Sequence, residues 1–402
     1  MNLSVVVCAY NTKKEYLDEC LKSIKNSTLQ DYEILLIDDG SSKDYRELAH
    51  KYEARLVKTE NRGQLATRLL AIDIAKGDYM TFVDSDDTVS FNYHMPMVEL
   101  AKKENADIVI NDWAFNTKNA KYSCKWEKNW QINWENEACL SEFAKNQGKS
   151  HAYFVFWNKV VSRKLYKVAK TELEKTDAIM HKITFSEDAL VSFFLFKNAK
   201  KVVNTHTGYY FYRIHEGQTV SKNSFDALKN QIENMSVTFN TMLSFCDGEI
   251  KENILKWREM MARTHYSYAK EAKLEELYPL IKEKYEVQKL ETAKMSDSEK
   301  YLKHNLLPDN FEFIDKELYG IYKSEDSVTV FYDLKDEYVC ASLAYIDAHK
   351  KTNEGGKMRT FVVPKATNSF KNKLLHSSLV TTLGALLFKK GSSARARLKS
   401  SL

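Results

Sequence analysis

Short runs of apolar residues, each bounded by a polar turn, recur through the first 115 residues of the chain. Runs that are apolar throughout are typical of strands buried on both faces of a sheet. The segments between them place apolar residues three and four positions apart, as helices do. We therefore predict five strands here, with the sequences LSVVVCA, YEILLI, ARLVKT, YMTFV and ADIVIN.

Helices are predicted between consecutive strands. Thr12 and Glu15 have the T-x-x-E spacing of a capping box, which predicts a helix start. The helix face that follows them is formed by Leu17, Cys20, Leu21 and Ile24. Further helices are predicted over 45–52, 64–75 and 93–104. This alternation predicts a Rossmann-like α/β fold, with a mostly parallel sheet that helices cover on both sides.

Polar clusters follow three of the predicted strands, with the sequences AYN, DDGSS and DSDD. In open parallel sheets, ligands bind beyond the carboxyl ends of the strands. We therefore expect the three clusters to meet at one crevice. The last cluster contributes Asp84, Asp86 and Asp87, and such crowded negative charge indicates a positive partner, most simply a divalent cation.

The rest of the chain has a different pattern. Residues 113–212 are mixed and rich in Trp and Tyr, and we predict a helical extension over 222–300. A small mixed α/β module is predicted over 301–370, with strands SVTVFYDL, YVCASLAYI and RTFVV.

Charge is unevenly distributed in this 402-residue chain, whose formal net charge is +5. Seven basic residues and no acidic ones lie in 371–402, so the remainder is slightly negative. A near-neutral body argues against nucleic acid as a partner. The six cysteines form no C-x-x-C pair, the N-terminus lacks the features of a signal peptide, and no apolar run reaches the length of a membrane span. We therefore expect a cytoplasmic protein with reduced cysteines.

The basic tail, residues 371–402, also has a helical apolar stripe. Its members are Leu375, Leu379, Leu383, Leu386 and Leu387. Lysines flank this stripe on both sides, which predicts an amphipathic helix on an anionic membrane surface, at the inner face of the plasma membrane. A helix that packs in a core or between subunits is the alternative.

Two groups of motifs give this chain a resemblance to a known family. The segments SVVVCAYNTKKEYLDECLKSI, YEILLIDDGSSKD and NRGQLATRLLAIDIAKGDYMTFVDSDD resemble the nucleotide-sugar half of family 2 glycosyltransferases, which have the GT-A fold. The segments FWNKVVSRKLYK, ITFSEDALVSFFLF and GYYFYRIHEGQTVS resemble the acceptor half of members that build bacterial capsule, exopolysaccharide or lipopolysaccharide. The resemblance covers 1–221, the predicted catalytic domain. The chain departs from the family at Thr67 and Leu69, where members usually have Ala and Asn, and it lacks the Q-x-x-R-W motif of processive synthases.

The resemblance implies a binding site for a nucleotide-sugar donor. Tyr10 would pack on the base, Asp39 would accept from a uracil N3–H, and Asp84 would meet the ribose. Arg68 would contact base or phosphate, and Asp86 would coordinate Mn²⁺ or Mg²⁺. From the residues alone, Asp38 or Asp39 as a helix cap, and the DSDD cluster as another, remain open.

The resemblance also implies roles on the acceptor side. Asp188 would be the general base of an inverting reaction, although Glu187 and Asp188 would also suit the dipole of a helix start. Arg213 would pair with phosphate, and His215 would complete the metal shell or meet the diphosphate, unless both lie in a surface loop. Trp157 and Lys159 would line the sugar or acceptor site, and a place in the core is the alternative for Trp157.

The function expected from this resemblance is transfer of a sugar, from a UDP-sugar most simply, to a glycan or lipid-linked acceptor. One alternative is an inactive nucleotide-sugar-binding scaffold. Another is nucleotidyl transfer, which needs a glycine-rich phosphate loop that CAYNTKKEY does not provide.

Overall fold

The computed structural model describes two compact units. One comprises Met1–Asn119 and Ser123–Met295, and the other comprises Ala120–Tyr122 and Ser296–Leu402. Side chains are described for residues 1–111, 131–146, 153–205, 207–208, 210–213 and 224–291, and strand backbone for 113–116, 122–125, 312–315, 319–323, 327–334, 337–342 and 361–364.

Over residues 1–84 the first unit alternates strands and helices, as the apolar pattern predicts. Its strands are β1 Leu3–Ala9, β2 Tyr32–Asp38, β3 Arg55–Lys58, β4 Tyr79–Asp84, β5 Thr88–Val89, β6 Ile108–Asn111, β7 Trp113–Asn116, β8 Tyr122–Lys125, β9 Asn133–Glu135, β10 Lys159–Ser162, β11 Lys201–Thr205 and β12 Tyr210–Tyr212. Its helices are α1 Lys14–Lys25, α2 Arg46–Lys51, α3 Gln64–Ile74, α4 His94–Glu104, α5 Glu137–Lys145, α6 Arg163–Leu173, α7 Glu187–Asn198, α8 Phe225–Leu243, α9 Gly248–Glu271 and α10 Tyr278–Tyr285.

An eight-stranded sheet, in the order β3-β2-β1-β4-β10-β6-β11-β9, organises this unit. β1, β2, β3 and β4 are parallel, and β6 and β11 run in the same direction as these four. Only β10 and β9 run the other way. The predicted α/β class, with a mostly parallel sheet flanked by helices and followed by a helical region, is confirmed.

Alternate residues of the sheet belong to two apolar clusters, one on each face. Val6 of β1 packs in one cluster, while Val5 and Val7 pack in the other. This is why apolar residues occupy consecutive positions of the strand rather than every second one.

The register of β1 brings the predicted polar clusters together. Cys8 lies opposite Asp84 of β4, and Ala9 lies opposite Asp38 of β2. The residues that follow each strand therefore meet at one edge of the sheet, as the crevice rule predicts.

A second sheet has the strand order β5-β12-β7-β8. Its strand β5 comes next after β4 in the chain. β5 follows the DSDD cluster directly, and it pairs with β12 through Tyr210 and Val89. The sheet thus connects this cluster to the GYYFYR segment, more than 100 residues later in the sequence.

The predicted capping box at α1 is wrong. The N-cap position is Lys13, and no side chain caps this helix. The Thr12 hydroxyl instead lies 2.7 Å from the Ser85 hydroxyl in the DSDD cluster. The spacing T-x-x-E recognises helix starts through local geometry alone, whereas here a tertiary contact takes the hydroxyl.

In the second unit the described residues form one antiparallel sheet. Its strands are β13 Glu312–Asp315, β14 Tyr319–Lys323, β15 Ser327–Leu334, β16 Glu337–Ser342 and β17 Phe361–Pro364. The three predicted strands correspond to β15, β16 and β17. The predicted amphipathic tail lies outside the described residues.

The cysteines described with their side chains, Cys8, Cys20, Cys139 and Cys246, are all free thiols. In the part of the chain that the structure describes, no helix combines the length and the apolar character needed to cross a bilayer.

Candidate active site

The DSDD cluster forms a tight turn after β4, and the Tyr210 side chain of β12 holds this turn through two hydrogen bonds. The Tyr210 hydroxyl accepts a hydrogen bond from the Asp84 amide at 3.0 Å and donates one to Asp87 at 2.7 Å. The Arg213 amide donates to the other oxygen of Asp87 at 2.7 Å. Asp87 is only 1% exposed, so it anchors the turn, a point that the sequence left open.

Arg213 clamps the same turn with its side chain. Its Nε donates to the Asp86 carbonyl at 2.6 Å, and its guanidinium pairs with Glu19 of α1. The guanidinium also lies 4.4 Å from the centre of the Tyr16 ring. The predicted phosphate contact of Arg213 stays a prediction, because these partners position the turn rather than a ligand. His215 lies outside the described residues.

Two carboxylates of the turn, those of Asp84 and Asp86, could hold a divalent cation. Burial raises the pKa of Asp84 to about 6, against the lowering influence of Arg68, and the charges of Asp86 and Glu187 raise it further. Asp86 is partly exposed at the carboxyl end of β4, where a bound ion would be accessible. No group of three His, Cys, Asp or Glu side chains within the described ranges has the arrangement of a metal site. A Mg²⁺-type ion needs only one or two protein carboxylates when phosphate oxygens and waters complete its shell.

Tyr10 and the two aspartates after β2 lie on the other side of β1. Tyr10 follows β1 and is 55% exposed, which suits an aromatic surface for a base. Asp39 is buried and accepts hydrogen bonds from the amides of Arg62 at 2.8 Å and Gly63 at 3.0 Å. Asp38 accepts from the Ser41 amide at 2.8 Å. Both aspartates therefore hold loops, and the uracil contact of Asp39 stays a prediction that its remaining lone pairs permit.

Left-handed backbone recurs around this edge of the sheet. It occurs at Asn11, Gly40, Gly63 and Ser186, with φ between 52° and 87°. At Gly63 a Cβ atom would lie 3.2 Å from the Lys182 side chain, so glycine suits both the backbone and the space. Asn11 and Ser186 were missed by the sequence reasoning. Strained backbone of this kind is often found at functional sites.

Arg68 of α3 connects the DSDD turn to the start of α7. Its guanidinium pairs with Glu187 at 2.9 Å and with Asp84 at 3.5 Å, and it lies 4.4 Å from the centre of the Phe156 ring. The side chains of Arg68 and Glu187 are 8% and 6% exposed. Burial lowers the pKa of Arg68, but Glu187 and Asp84 raise it more, so the guanidinium stays charged. Its predicted contact with base or phosphate stays a prediction.

Asp188 is the second residue of α7 and is partly exposed. One of its oxygens accepts a hydrogen bond from the Ala189 amide at 2.8 Å. Burial and the neighbouring Glu187 raise its pKa to about 7, while Arg68 and Lys159 act in the opposite direction. A carboxylate with this pKa can accept a proton near neutral pH, which is the requirement for a general base.

The side chains of Lys159 and Trp157, which were expected to line the sugar or acceptor site, are held by contacts within the protein. Lys159 has no exposed surface, and its ammonium donates to the Val155 carbonyl at 2.5 Å and to Asn158 at 2.8 Å. It therefore belongs to the core rather than to the wall of the site. Trp157 stacks on Tyr210 with ring centres 4.4 Å apart, so it supports the residue that holds the DSDD turn.

The sequence reasoning missed Tyr210 and left Glu187 without a role. Both residues act through contacts with segments more than 100 residues away in the chain. The only available signal was their position inside the segments GYYFYR and FSED, which the resemblance had already identified.

Comparison with known proteins shows which family model and which relatives this chain matches. Residues 4–168 match the model of the family described as "Glycosyl transferase family 2". The chain is 38% identical over 117 residues to Glycosyltransferase GlyG of Streptococcus pneumoniae, which is 28% of this chain and 38% of GlyG. It is 27% identical over 234 residues to Putative glycosyltransferase EpsH of Bacillus subtilis, which is 55% of this chain and 63% of EpsH.

A third relative has a named acceptor. The chain is 34% identical over 119 residues to Poly(ribitol-phosphate) beta-glucosyltransferase of Bacillus spizizenii, which covers 27% of this chain and 19% of that protein. The chain thus spans less than two thirds of the length of each of these relatives. The region that matches the model of this family contains Tyr10, Asp39, Arg68, Asp84 and Asp86.

Proposed function

We propose that this chain transfers a sugar from a UDP-sugar to a hydroxyl of a bacterial surface glycan, with inversion at the anomeric carbon. The family match and the names of GlyG and EpsH support glycosyl transfer. The name of the Bacillus spizizenii relative supports a surface polymer as the acceptor. The choice of UDP rests on Asp39, through the family resemblance.

One observation carries the proposal. Arg68 contacts both Asp84 on the donor side and Glu187, the residue next to Asp188, at 3.5 Å and 2.9 Å. The carboxylate assigned to the donor and the carboxylate assigned to the base therefore border the same buried guanidinium. A single displacement needs both the donor and the proton acceptor within one crevice.

In the proposed reaction Asp188 acts as the general base. It removes the proton from the acceptor hydroxyl while that oxygen forms a bond to the anomeric carbon. The bond between the anomeric carbon and the diphosphate oxygen breaks, and UDP departs with the electron pair. The pKa of about 7 keeps much of Asp188 ionised at neutral pH and still lets it hold the transferred proton.

The donor would be held by residues from three strand ends. Tyr10 would pack on the base, Asp39 would accept from the base, and Asp84 would bind the ribose. Asp86 would hold the Mn²⁺ or Mg²⁺ ion, which when bound supplies Lewis-acid stabilisation of the leaving diphosphate. Arg213 holds Asp86 in place by donating a hydrogen bond to the Asp86 backbone carbonyl.

The acceptor and the location are also part of the proposal. A lipid-linked glycan at the inner face of the plasma membrane would suit the basic stripe of 371–402. We expect that deletion of 371–402 moves the protein from the membrane fraction to the supernatant. Unchanged fractionation would contradict the role of the tail.

Release of UDP from a panel of UDP-sugars in the presence of Mn²⁺ tests the activity. We expect turnover with at least one donor, and loss of turnover when EDTA removes the ion. Binding of UDP measured by calorimetry serves as the control. Binding without any turnover would support the alternative, an inactive nucleotide-sugar-binding scaffold, and turnover that EDTA leaves unchanged would remove the ion from the proposal.

A further inference from the structure

A row of polar side chains lies along α8, a helix whose other buried residues are mainly apolar. Asn230, Asn234 and Thr238 are four positions apart, so they follow one another along one side of the helix. Asn234 is 8% exposed, and Thr238 has no exposed surface. Burial of a polar side chain is costly unless it is hydrogen-bonded, so the partners of these residues indicate what they do. We call the three residues the α8 polar row.

The α8 polar row holds three consecutive residues just before α7. One oxygen of the Asn234 side chain accepts hydrogen bonds from the amides of Thr184 at 2.8 Å and Phe185 at 3.1 Å. The Thr238 hydroxyl lies 2.8 Å from the Ser186 hydroxyl. Each residue of the stretch 184–186 is therefore tied directly to the same helix.

Asn230 fixes the orientation of the Asn234 side chain. The Asn230 oxygen accepts a hydrogen bond from the Asn234 amide group at 3.2 Å, and the Asn230 amide group donates to the Thr184 hydroxyl at 3.0 Å. Both ends of the Asn234 side chain are thus engaged. It cannot rotate away from the two backbone amides without losing hydrogen bonds in a buried place.

Ser186 is the residue at which this support is needed. It has φ 67° and ψ 11°, a left-handed conformation that is unfavourable for a serine. Such a conformation persists only where the surrounding structure determines it. The Ser186 hydroxyl does not cap α7 and is engaged with Thr238 instead. The contacts with α8 therefore fix both the peptide groups before Ser186 and its side chain.

The conformation of Ser186 sets the direction in which α7 begins. Glu187 and Asp188 follow it directly, so a rotation of the Ser186 backbone would move both carboxylates relative to Arg68. Arg68 holds the Glu187 side chain at 2.9 Å. The α8 polar row, by contrast, holds the backbone that leads to Asp188.

The helix α8 is itself fixed by α9 and α10. Ser236 lies on the side of α8 opposite to the polar row, and its hydroxyl donates to the Lys284 carbonyl of α10 at 3.0 Å. The Phe239 ring packs edge-on against Trp257 of α9 and Tyr285 of α10, with ring centres 5.1 Å and 6.2 Å apart. The predicted helical extension thus braces the helix that carries the polar row.

We propose that Asn234 and Thr238 are positioning residues for sugar transfer, and that α8 acts through the 184–186 backbone to place the Asp188 carboxylate against the acceptor hydroxyl. The inference rests on the proposed function in its choice of Asp188 as the base. It gives the helical extension a part in the acceptor side of the site. Displacement of a catalytic group by about 1 Å can lower a rate by about 100-fold, so the effect should be on kcat rather than on donor binding.

The kcat of UDP release, measured together with UDP binding, tests this role. Asn234→Leu removes the oxygen that binds two backbone amides, and we expect kcat to fall by about 100-fold with UDP binding retained. The matched control is Ser236→Ala, which removes a buried hydroxyl contact from the opposite side of the same helix. It should lower the melting temperature and leave kcat close to that of the unaltered chain.

A second pair of variants isolates the hydroxyl contact, and it carries the test if Asn234→Leu does not fold. Thr238→Val keeps the shape of the side chain but loses the hydroxyl that meets Ser186, so kcat should fall by about tenfold. Thr238→Ser keeps the hydroxyl and should restore most of the rate. A residue that only stabilises the fold would leave both rates unchanged well below the melting temperature.

The ionisation of Asp188 gives a readout that needs no turnover. Burial and Glu187 raise its pKa to about 7, while Arg68 and Lys159 act in the opposite direction. If Asn234→Leu releases the start of α7, the carboxylate becomes better hydrated, and its pKa should fall towards the ordinary value of an aspartate. NMR titration of isotope-labelled aspartate carboxyl groups measures this pKa, and Asp188→Asn identifies the signal. The control variant should leave the pKa unchanged.

Two results would overturn the inference: a kcat for Asn234→Leu equal to that of the unaltered chain, or equal losses of kcat in Asn234→Leu and Ser236→Ala. A Thr238→Ser rate as low as that of Thr238→Val would remove the hydroxyl contact from it. A failure of the proposed function would look different. In that case no donor would give UDP release, while the Asp188 pKa would still fall in Asn234→Leu and stay unchanged in Ser236→Ala.

Discussion

The two sides of the candidate active site are held in different ways. The DSDD turn is fixed by contacts from two separate parts of the chain: Tyr210 and Arg213 from the β12 region, and Thr12 before α1. Arg213 is held in turn by its ion pair with Glu19 of α1. The start of α7 is held by a buried ion pair between Glu187 and Arg68, and by hydrogen bonds between α8 and residues 184–186.

This difference indicates how the two sides of the site are structurally linked. The DSDD turn keeps its shape through many contacts, so the loss of one should weaken it only partly. Glu187 and Asp188 depend on a guanidinium carried by α3, the helix that begins at the Asp39-bound loop. In the proposed function, the position of the base is thus set in part from the donor side of the site.

The largest expected effect comes from removal of Arg68. Arg68→Met leaves Glu187 buried without a partner, and we expect the free energy of unfolding to fall by about 3–5 kcal/mol. Urea denaturation measures this. The control is Arg46→Met, whose Asp44 pair is exposed and should be dispensable.

A double variant shows whether the stability loss comes from the unpaired charge of Glu187. Arg68→Met/Glu187→Leu removes both charges, so it should recover much of the stability that Arg68→Met loses. If the single variant is as stable as the unaltered chain, or if the double variant recovers nothing, Arg68 does not hold α7 through this pair.

Substitutions of Asp86 and Asp87 should have different effects, because the two residues have different proposed roles. Asp86→Asn should lower the kcat/KM of UDP release by about 100-fold or more and weaken the response to Mn²⁺, because one charge-stabilising group is lost. Asp87→Asn should chiefly lower the melting temperature, since Asp87 anchors the turn. Equal losses of the metal response in both variants would contradict this division.

Tyr210 tests whether many contacts make the DSDD turn robust. Tyr210→Phe removes the hydroxyl that joins the Asp84 amide to Asp87, and we expect a loss of about 1–3 kcal/mol in the free energy of unfolding. The KM for the donor should rise more than kcat falls, because in the proposed function the turn positions the donor. A stability loss as large as that of Arg68→Met would remove the contrast between the two sides.

The smallest effect concerns the pH dependence of the base. Glu187 raises the pKa of Asp188, so Glu187→Gln should lower that pKa. The base is active when ionised, and kcat/KM therefore rises with pH through this pKa, near 7 in the unaltered chain. In the variant the rise should occur roughly one pH unit lower. An unmoved profile would show that Glu187 does not set the ionisation of Asp188.

Much of the fold was predictable from the apolar pattern. β1, β2 and β4 have consecutive apolar residues because both faces of the sheet are covered, so pattern and burial agree. The same strands, together with the crevice rule, were enough to bring the three polar clusters together. The capping box at Thr12 failed because a tertiary hydrogen bond to Ser85 replaced the local one.

The candidate site was predictable only where neighbouring strands determine it. Asp84 and Asp39 follow parallel strands, so their proximity follows from topology. The contacts of Tyr210 and Glu187 join segments far apart in the chain, and no spacing rule encodes them. The roles assigned through the family resemblance, including those of Tyr10 and Arg213, remain predictions about bound ligands.

The most direct test of the central claim is the rate of UDP release by Asp188→Asn, with the donor that the panel identifies and UDP binding measured in parallel. Asp177→Asn, which alters an exposed carboxylate on the preceding turn, is the matched control. The account predicts a loss of about 100- to 10,000-fold for Asp188→Asn with UDP binding retained, and no loss for the control. A rate for Asp188→Asn within a few-fold of the unaltered chain would contradict it.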